Sequence, residues 1–222
     1  MATRSKALVA LGAVAAWALL AAGSSAQTVT FETEVPGQPP KDFDFGVSGE
    51  GGPGRWSVVL DKTAAGGKAL AQLSTHTAEN RFLVAIYRPA VFANGEIATR
   101  CKPVSGQVDQ ACGVIIHAAD AMNYYIARAN ALEGNVRFYR VSNGNRQQLA
   151  TAENIGIEKG QWHTLAVRAE GLRYSVTFNG KVLYTTVDTA TAEPRPAQGR
   201  AGLWVKSDSV THFDRIEIRS SR

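Results

Sequence analysis

Residues 164–187 read TLAVRAEGLRYSVTFNGKVLYTTV. Leu165, Val167 and Ala169 alternate with polar neighbours, as do Tyr174, Val176 and Phe178, and a period of two buries one face of a strand while the other meets solvent. Asn179-Gly180 falls where the second run turns back into Val182–Val187. Both central residues of a tight type I′ turn need positive φ, which Asn-Gly accommodates best. The stretch therefore reads as consecutive antiparallel strands.

Similar short runs occupy 56–60, 69–73, 82–87, 96–101, 114–118, 124–130, 136–141, 201–206 and 213–218. Turn residues separate them at roughly ten-residue spacing, Glu133-Gly134 and Asn143-Gly144 among them, which is the pattern of an all-β sandwich or barrel. No amphipathic helix interrupts the runs, and no internal repeat suggests a propeller or solenoid. Upstream, residues 36–54 (PGQPPKDFDFGVSGEGGPG) hold ten Gly or Pro and read as an irregular surface arm with little regular pairing.

The chain of 222 residues carries 24 Lys+Arg, 19 Asp+Glu and a formal charge of +5. Part of that charge lies in a leader. Arg4 and Lys6 precede the apolar run Ala7–Ala22, and small residues at Ser24 and Ala26 form a cleavage signature, so residues 1–26 read as a secretory signal peptide. The apolar run of 16 residues is short for a membrane span. Cleavage after Ala26 removes two cations and no anions, leaving 196 residues at +3 with no stable membrane anchor. No run of five basic residues occurs, so nucleic acid is not the expected partner. The expected organisation is a signal peptide over 1–26, a Gly/Pro-rich arm over 27–55 and one β-sandwich domain over 56–222, secreted or periplasmic.

In an oxidising compartment the two cysteines, Cys101 and Cys112, are expected to form a disulfide. If they face each other across a hairpin, antiparallel register places Glu96 opposite His117. Alternation then sends Ile97, Thr99, Cys101, Val114 and Ile116 to the core and Glu96, Arg100, Ile115 and His117 to the other face. Carrying that face through the next two strands adds Tyr124, Arg128, Arg137 and Tyr139. Trp204 and Lys206 share one face of a later strand and are expected to line the same groove, whereas Trp56 and Trp162 are expected in the core.

The segments NYYIARANALEGNVRFYRV (123–141), NGNRQQL (143–149), GQWHTLAVRAEGLRYSVTFNGKVL (160–183) and GRAGLWVKSDSVTHFDRIEI (199–218) resemble exported bacterial domains of the concanavalin A-like lectin/glucanase superfamily. These include laminin-G-like, family 16 glycoside hydrolase-like and 3-keto-disaccharide hydrolase-like domains. The resemblance covers about the last two-thirds of the chain, with GLWVKSDSVTHFD its most specific run. It implies a jelly-roll sandwich of two antiparallel sheets with glycan on the concave face. It does not imply catalysis, because the Glu-x-Asp-x-(x)-Glu strand motif of family 16 glucanases is missing. The nearest fragments, Glu32-Thr33-Glu34 and Asp214-Arg215-Ile216-Glu217, have the wrong composition or spacing.

A sugar site needs aromatic faces to stack on and planar polar groups to bond hydroxyls, which Glu96, Arg100, His117, Tyr124, Arg128, Arg137, Tyr139, Trp204 and Lys206 can supply. The expected function is binding of an oligo- or polysaccharide without catalysis. The enzymatic alternative, a 3-keto-disaccharide hydrolase or glucanase-like enzyme, would use Glu96 and His117 as acid/base residues, although glycoside hydrolysis normally needs two carboxyl groups. A third reading is a structural or protein-interaction domain of the envelope. No cofactor is expected, and the one metal option is calcium at Asp188 and Asp208.

Overall fold

A computed structural model describes residues 25–191 and 195–221, which form fifteen strands and no helix. The strands are β1 (Ser25–Thr30), β2 (Phe43–Gly49), β3 (Trp56–Leu60), β4 (Lys68–Gln72), β5 (Arg81–Phe92), β6 (Asn94–Ser105), β7 (Ala111–Asp120) and β8 (Asn123–Asn130). They continue as β9 (Asn135–Ser142), β10 (Asn145–Ala152), β11 (His163–Glu170), β12 (Arg173–Phe178), β13 (Lys181–Val187), β14 (Gly199–Lys206) and β15 (Val210–Ser221). One sheet runs β13-β12-β11-β6-β15-β4-β3, and the other runs β10-β9-β8-β7-β14-β5-β2. Every pairing is antiparallel. Long β15 takes β6 along one side, while β4 and then β1 share its other side.

The inward faces of the two sheets make the core. Leu70, Ile97, Leu165, Val167, Phe213 and Ile216 meet Leu83, Val114, Ile116, Tyr125, Phe138 and Leu203. All twelve are fully removed from water, a burial that contributes about 1.5–3 kcal/mol for each large aliphatic or aromatic side chain. The turn at Asn179-Gly180 forms as expected, with both residues at positive φ.

Three expectations are corrected here, two of them about where strands lie and one about the placement of the disulfide. The stretch 36–54 is not wholly irregular: Phe43–Gly49 pairs with β5 as an edge strand, because Phe43, Phe45 and Val47 supply strand alternation hidden among glycines. Asn145–Ala152 is a further strand, polar enough to escape notice, that forms an edge beside β9. Ser25 and Ala26, at the end of the expected leader, pair with Ser220 and Arg219 in β1; the rest of that leader, residues 1–24, lies outside the described residues.

The third correction concerns the cysteines. Cys101 and Cys112 do form the expected disulfide, but β6 and β7 belong to different sheets and the bond crosses the core between layers. Inward-pointing residues of two packed sheets come as close as a hairpin pair, here 6.3 Å between Cα atoms. The assignment of Ile97, Thr99, Cys101, Val114 and Ile116 to the interior holds, because it rests on alternation alone. Glu96 and Ile115, however, point outward from opposite layers.

Candidate functional site

The outer face of the seven-stranded sheet is a trough with its own hydrophobic floor. Phe82, Val84 and Ile86 of β5, Ile115 of β7, Tyr124 and Ile126 of β8, Tyr139 of β9 and Trp204 of β14 form this second cluster. Gly113 sits between Arg128 and Trp204 in the hydrogen-bonded rows. A Cβ there would come within 2.5 Å of Ile126 Cδ1 and 3.2 Å of Trp204 Cβ, so glycine lets these two side chains close over the strand.

The sheet is coiled so strongly that opposite corners touch. Tyr124 on β8 lies 3.1 Å from the Ser48 hydroxyl on β2, although β7, β14 and β5 separate the two strands. Trp204 Nε1 donates to the Tyr124 oxygen at 3.2 Å, and Phe82 stacks on Trp204 at 5.7 Å between centroids. Burial raises the Tyr124 phenol to about 12, against the opposing pull of its bonds to Ser48 and Trp204. Tyr124 and Trp204 are completely buried, so they form the floor and offer no free stacking surface.

Arg146 of β10, a residue the sequence reading did not single out, caps this floor. Its guanidinium lies 4.0 Å from the Phe82 ring centroid, 5.0 Å from that of Tyr139 and 6.0 Å from that of Trp204. The Asn143-Gly144 turn sets it there, because Ser142–Asn145 pairing puts Arg146 opposite Val141, on the same face as Tyr139. That turn was legible in the sequence and would have located Arg146. Burial lowers its pKa, with nearby Arg128 adding to the effect.

Charged groups form the rim. Arg128 Nη1 donates to Asn135 Oδ1 at 2.7 Å and Nη2 to Glu133 at 2.9 Å, with the Tyr139 hydroxyl 3.5 Å away. Arg137 reaches Glu133 at 3.2 Å and Glu153 at 3.5 Å. Lys206 pairs with buried Asp109 at 2.6 Å, and Asn130 also donates to Asp109. Burial raises the Asp109 carboxyl, and the bond to Lys206 only partly offsets it. For Glu133, burial acts in the same direction but the two arginines outweigh it, holding its carboxyl below the usual range.

Of the expected site, Tyr124, Arg128, Arg137, Tyr139, Trp204 and Lys206 are brought together on this face. Glu96, Arg100 and His117 are not. Glu96 lies on the outer face of the opposite sheet, 3.3 Å from Arg219, lining a shallow pocket of about 230 Å³ with Ser25, Arg168 and Ser220. Arg100 is on that same layer, ion-paired with Asp214 and 4.8 Å from the Trp162 ring centroid. Trp162 is thus a partly exposed surface aromatic rather than a core residue, whereas Trp56 is buried as expected.

His117 is turned inward by a register shift between Ile116 and Asp120, with φ at 56°. It sits among Phe92, Tyr125 and Tyr174, its Nε2 2.8 Å from the Ala93 carbonyl, and burial lowers its pKa. Glu96 and His117 therefore cannot act as one acid/base pair.

Asp188 and Asp208 do not fit calcium. Asp188 accepts from the Tyr125 hydroxyl, Arg140 and the Ala190 amide. Asp208 accepts from the amides of Gln107, Val108 and Asp109. Carboxylates already saturated by donors leave little for a cation, and no cluster of three or more His, Cys, Asp or Glu among the described residues is arranged to hold a metal.

A family model described as a 3-keto-alpha-glucoside-1,2-lyase-like domain matches residues 52–219. The fold is similar to the carbohydrate-binding module CBM66 from Bacillus subtilis, with a TM-score of 0.58 and 18% identity over 77% of this chain and 91% of that one. It is also similar to a Bacillus licheniformis β-glucanase, at 0.54 and 12% over 89% and 98%. A Shewanella oneidensis protein of unknown function matches at 0.57 and 14% over 92% and 89%. Likeness at these identities is likeness of fold, a jelly-roll sandwich. No curated protein sequence matches the chain.

Proposed function

The chain belongs to the 3-keto-alpha-glucoside-1,2-lyase-like domain family, and from that premise we propose that it is an exported domain that binds saccharide at the mouth of the trough, without catalysis. The observation that carries this reading is the cluster of three guanidiniums around Tyr139, with that of Arg146 set 4.0–6.0 Å from the three ring centroids of the aromatic floor. Planar guanidiniums match pairs of sugar hydroxyls through their forked N–H donors. Export is supported by the leader-like sequence of residues 1–26 and by the disulfide.

A lyase reading draws on the family description. Eliminating a group from a 3-keto sugar requires a base that removes a proton beside the ketone, and such a base works best with a pKa near the ambient pH. Of the carboxylates around the mouth, Glu133 and Glu153 are held in the opposite sense, as weak bases, and Asp109, which burial raises, is wholly buried behind Lys206 and Asn130. This favours binding over turnover. An envelope interaction domain, the third reading, predicts no sugar ligand at all.

Glycan-array screening followed by titration of the full chain separates the three. Binding is expected, weakened about tenfold or more by Arg137→Ala, which removes a partly exposed rim contact worth about 1.5–3 kcal/mol. No bound glycan, or binding unchanged in Arg137→Ala and Tyr139→Phe, would remove the trough from the reading. Release of product from 3-keto-glucosides would replace binding with catalysis.

A further inference from the structure

Pairing the charges around the mouth leaves one over. Arg128 and Arg137 share Glu133, Arg137 also reaches Glu153, and Lys206 is matched by Asp109. Arg146 has no hydrogen bond and no ion pair with any described residue; its contacts are the three aromatic rings below it. Ring contacts use no N–H, so none of the five guanidinium donors meets a protein acceptor among the described residues. Two further donors on the same wall, Arg128 Nε and Arg137 Nε, are buried without an acceptor.

Arg146 is partly withdrawn from water, and the carboxylate that acts on it, Asp109, is already paired with Lys206, so the protein replaces its lost hydration only in part. Neutral hydroxyls both donate and accept, and they would leave the net charge uncorrected. An oxyanion only accepts, and it brings the missing charge. From this surplus of donors and charge, and resting on the reading of the mouth as a sugar site, we infer that the saccharide recognised there carries an oxyanion, a uronate carboxylate or a sulfate ester, seated on Arg146.

The test is calorimetric titration of the full chain with an oligogalacturonate, a heparin-type sulfated oligosaccharide and a neutral galacto-oligosaccharide of equal length. At least one anionic probe is expected to bind about tenfold or more tightly than the neutral one, with the advantage shrinking between about 50 and about 500 mM NaCl as screening grows. Arg146→Gln is expected to erase the advantage and Arg146→Lys to restore part of it; circular dichroism of both variants confirms that they fold. The better of the two anionic probes identifies the oxyanion, and either upholds the inference. Equal affinity for neutral and anionic probes, or a preference that survives Arg146→Gln, overturns the oxyanion while leaving the sugar reading intact. No binding by any probe overturns both.

Discussion

Replacing both cysteines with alanine tests how the interlayer bond acts. Cys101 and Cys112 are 11 residues apart, and for a loop of that size the chain-entropy model assigns about 3 kcal/mol to constraint of the unfolded chain. Both are wholly buried, so deleting two sulfurs removes packing worth about 1–2 kcal/mol more. A loss of about 4–5 kcal/mol lowers the melting temperature by roughly 8–20 °C in a domain of this size.

Urea titration followed by tryptophan fluorescence and far-ultraviolet dichroism measures the loss. Hydrogen exchange locates it. β6 lies between β11 and β15, and β7 between β8 and β14, so each keeps two backbone ladders without the disulfide. Their amides should therefore exchange only through global opening, at a rate raised by the full loss of stability. A change below about 1 kcal/mol, or loss of protection confined to the two substituted positions and their strand neighbours, would refute the unfolded-chain account. Dithiothreitol should leave the bond intact in the folded wild type, because neither sulfur is exposed.

Two other perturbations have worked outcomes. Asp208→Ala strips the acceptor from the loop amides of Gln107, Val108 and Asp109 and should cost about 2–4 kcal/mol in thermal melts, with Asp208→Asn recovering part. For Asp61, burial raises the carboxyl, but bonds from Lys102, His212 and Thr63 win and hold it well below the usual range. A depressed folded-state pKa contributes stability that is complete above the unfolded value near 4 and lost as the pH falls below it. Asp61→Asn should consequently be less stable at pH 7 and show a flatter acid limb; an acid limb as steep as that of wild type would discount Asp61.

Alternation made much of the fold legible, because it reports which side chains of one strand share a face without needing to know the neighbouring strand. That is why the interior set around Ile97 and Val114 was right, and why Tyr124, Arg128, Arg137 and Tyr139 emerged on one face. Pairing is a different kind of information. Two inward cysteines satisfy a disulfide equally well within a sheet or across the core, so the bond could not choose a partner for β6. His117 was lost for a local reason: a bulge with positive φ reverses alternation at one residue. Coiling was also invisible, and it turns Trp204 and Tyr124 from platform into floor while lifting Arg146 over them.

The arrangement of β1 and β4 along one side of β15 has a practical consequence. The first and last described strands are hydrogen-bonded neighbours, Gln27 beside Ile218, so a short peptide could join them and the chain could be opened elsewhere, for instance at the Asn179-Gly180 turn. Both strands also belong to the layer that does not carry the trough. A surface, bead or fused partner attached at either of them would hold the domain by its back, with Arg146 facing outward.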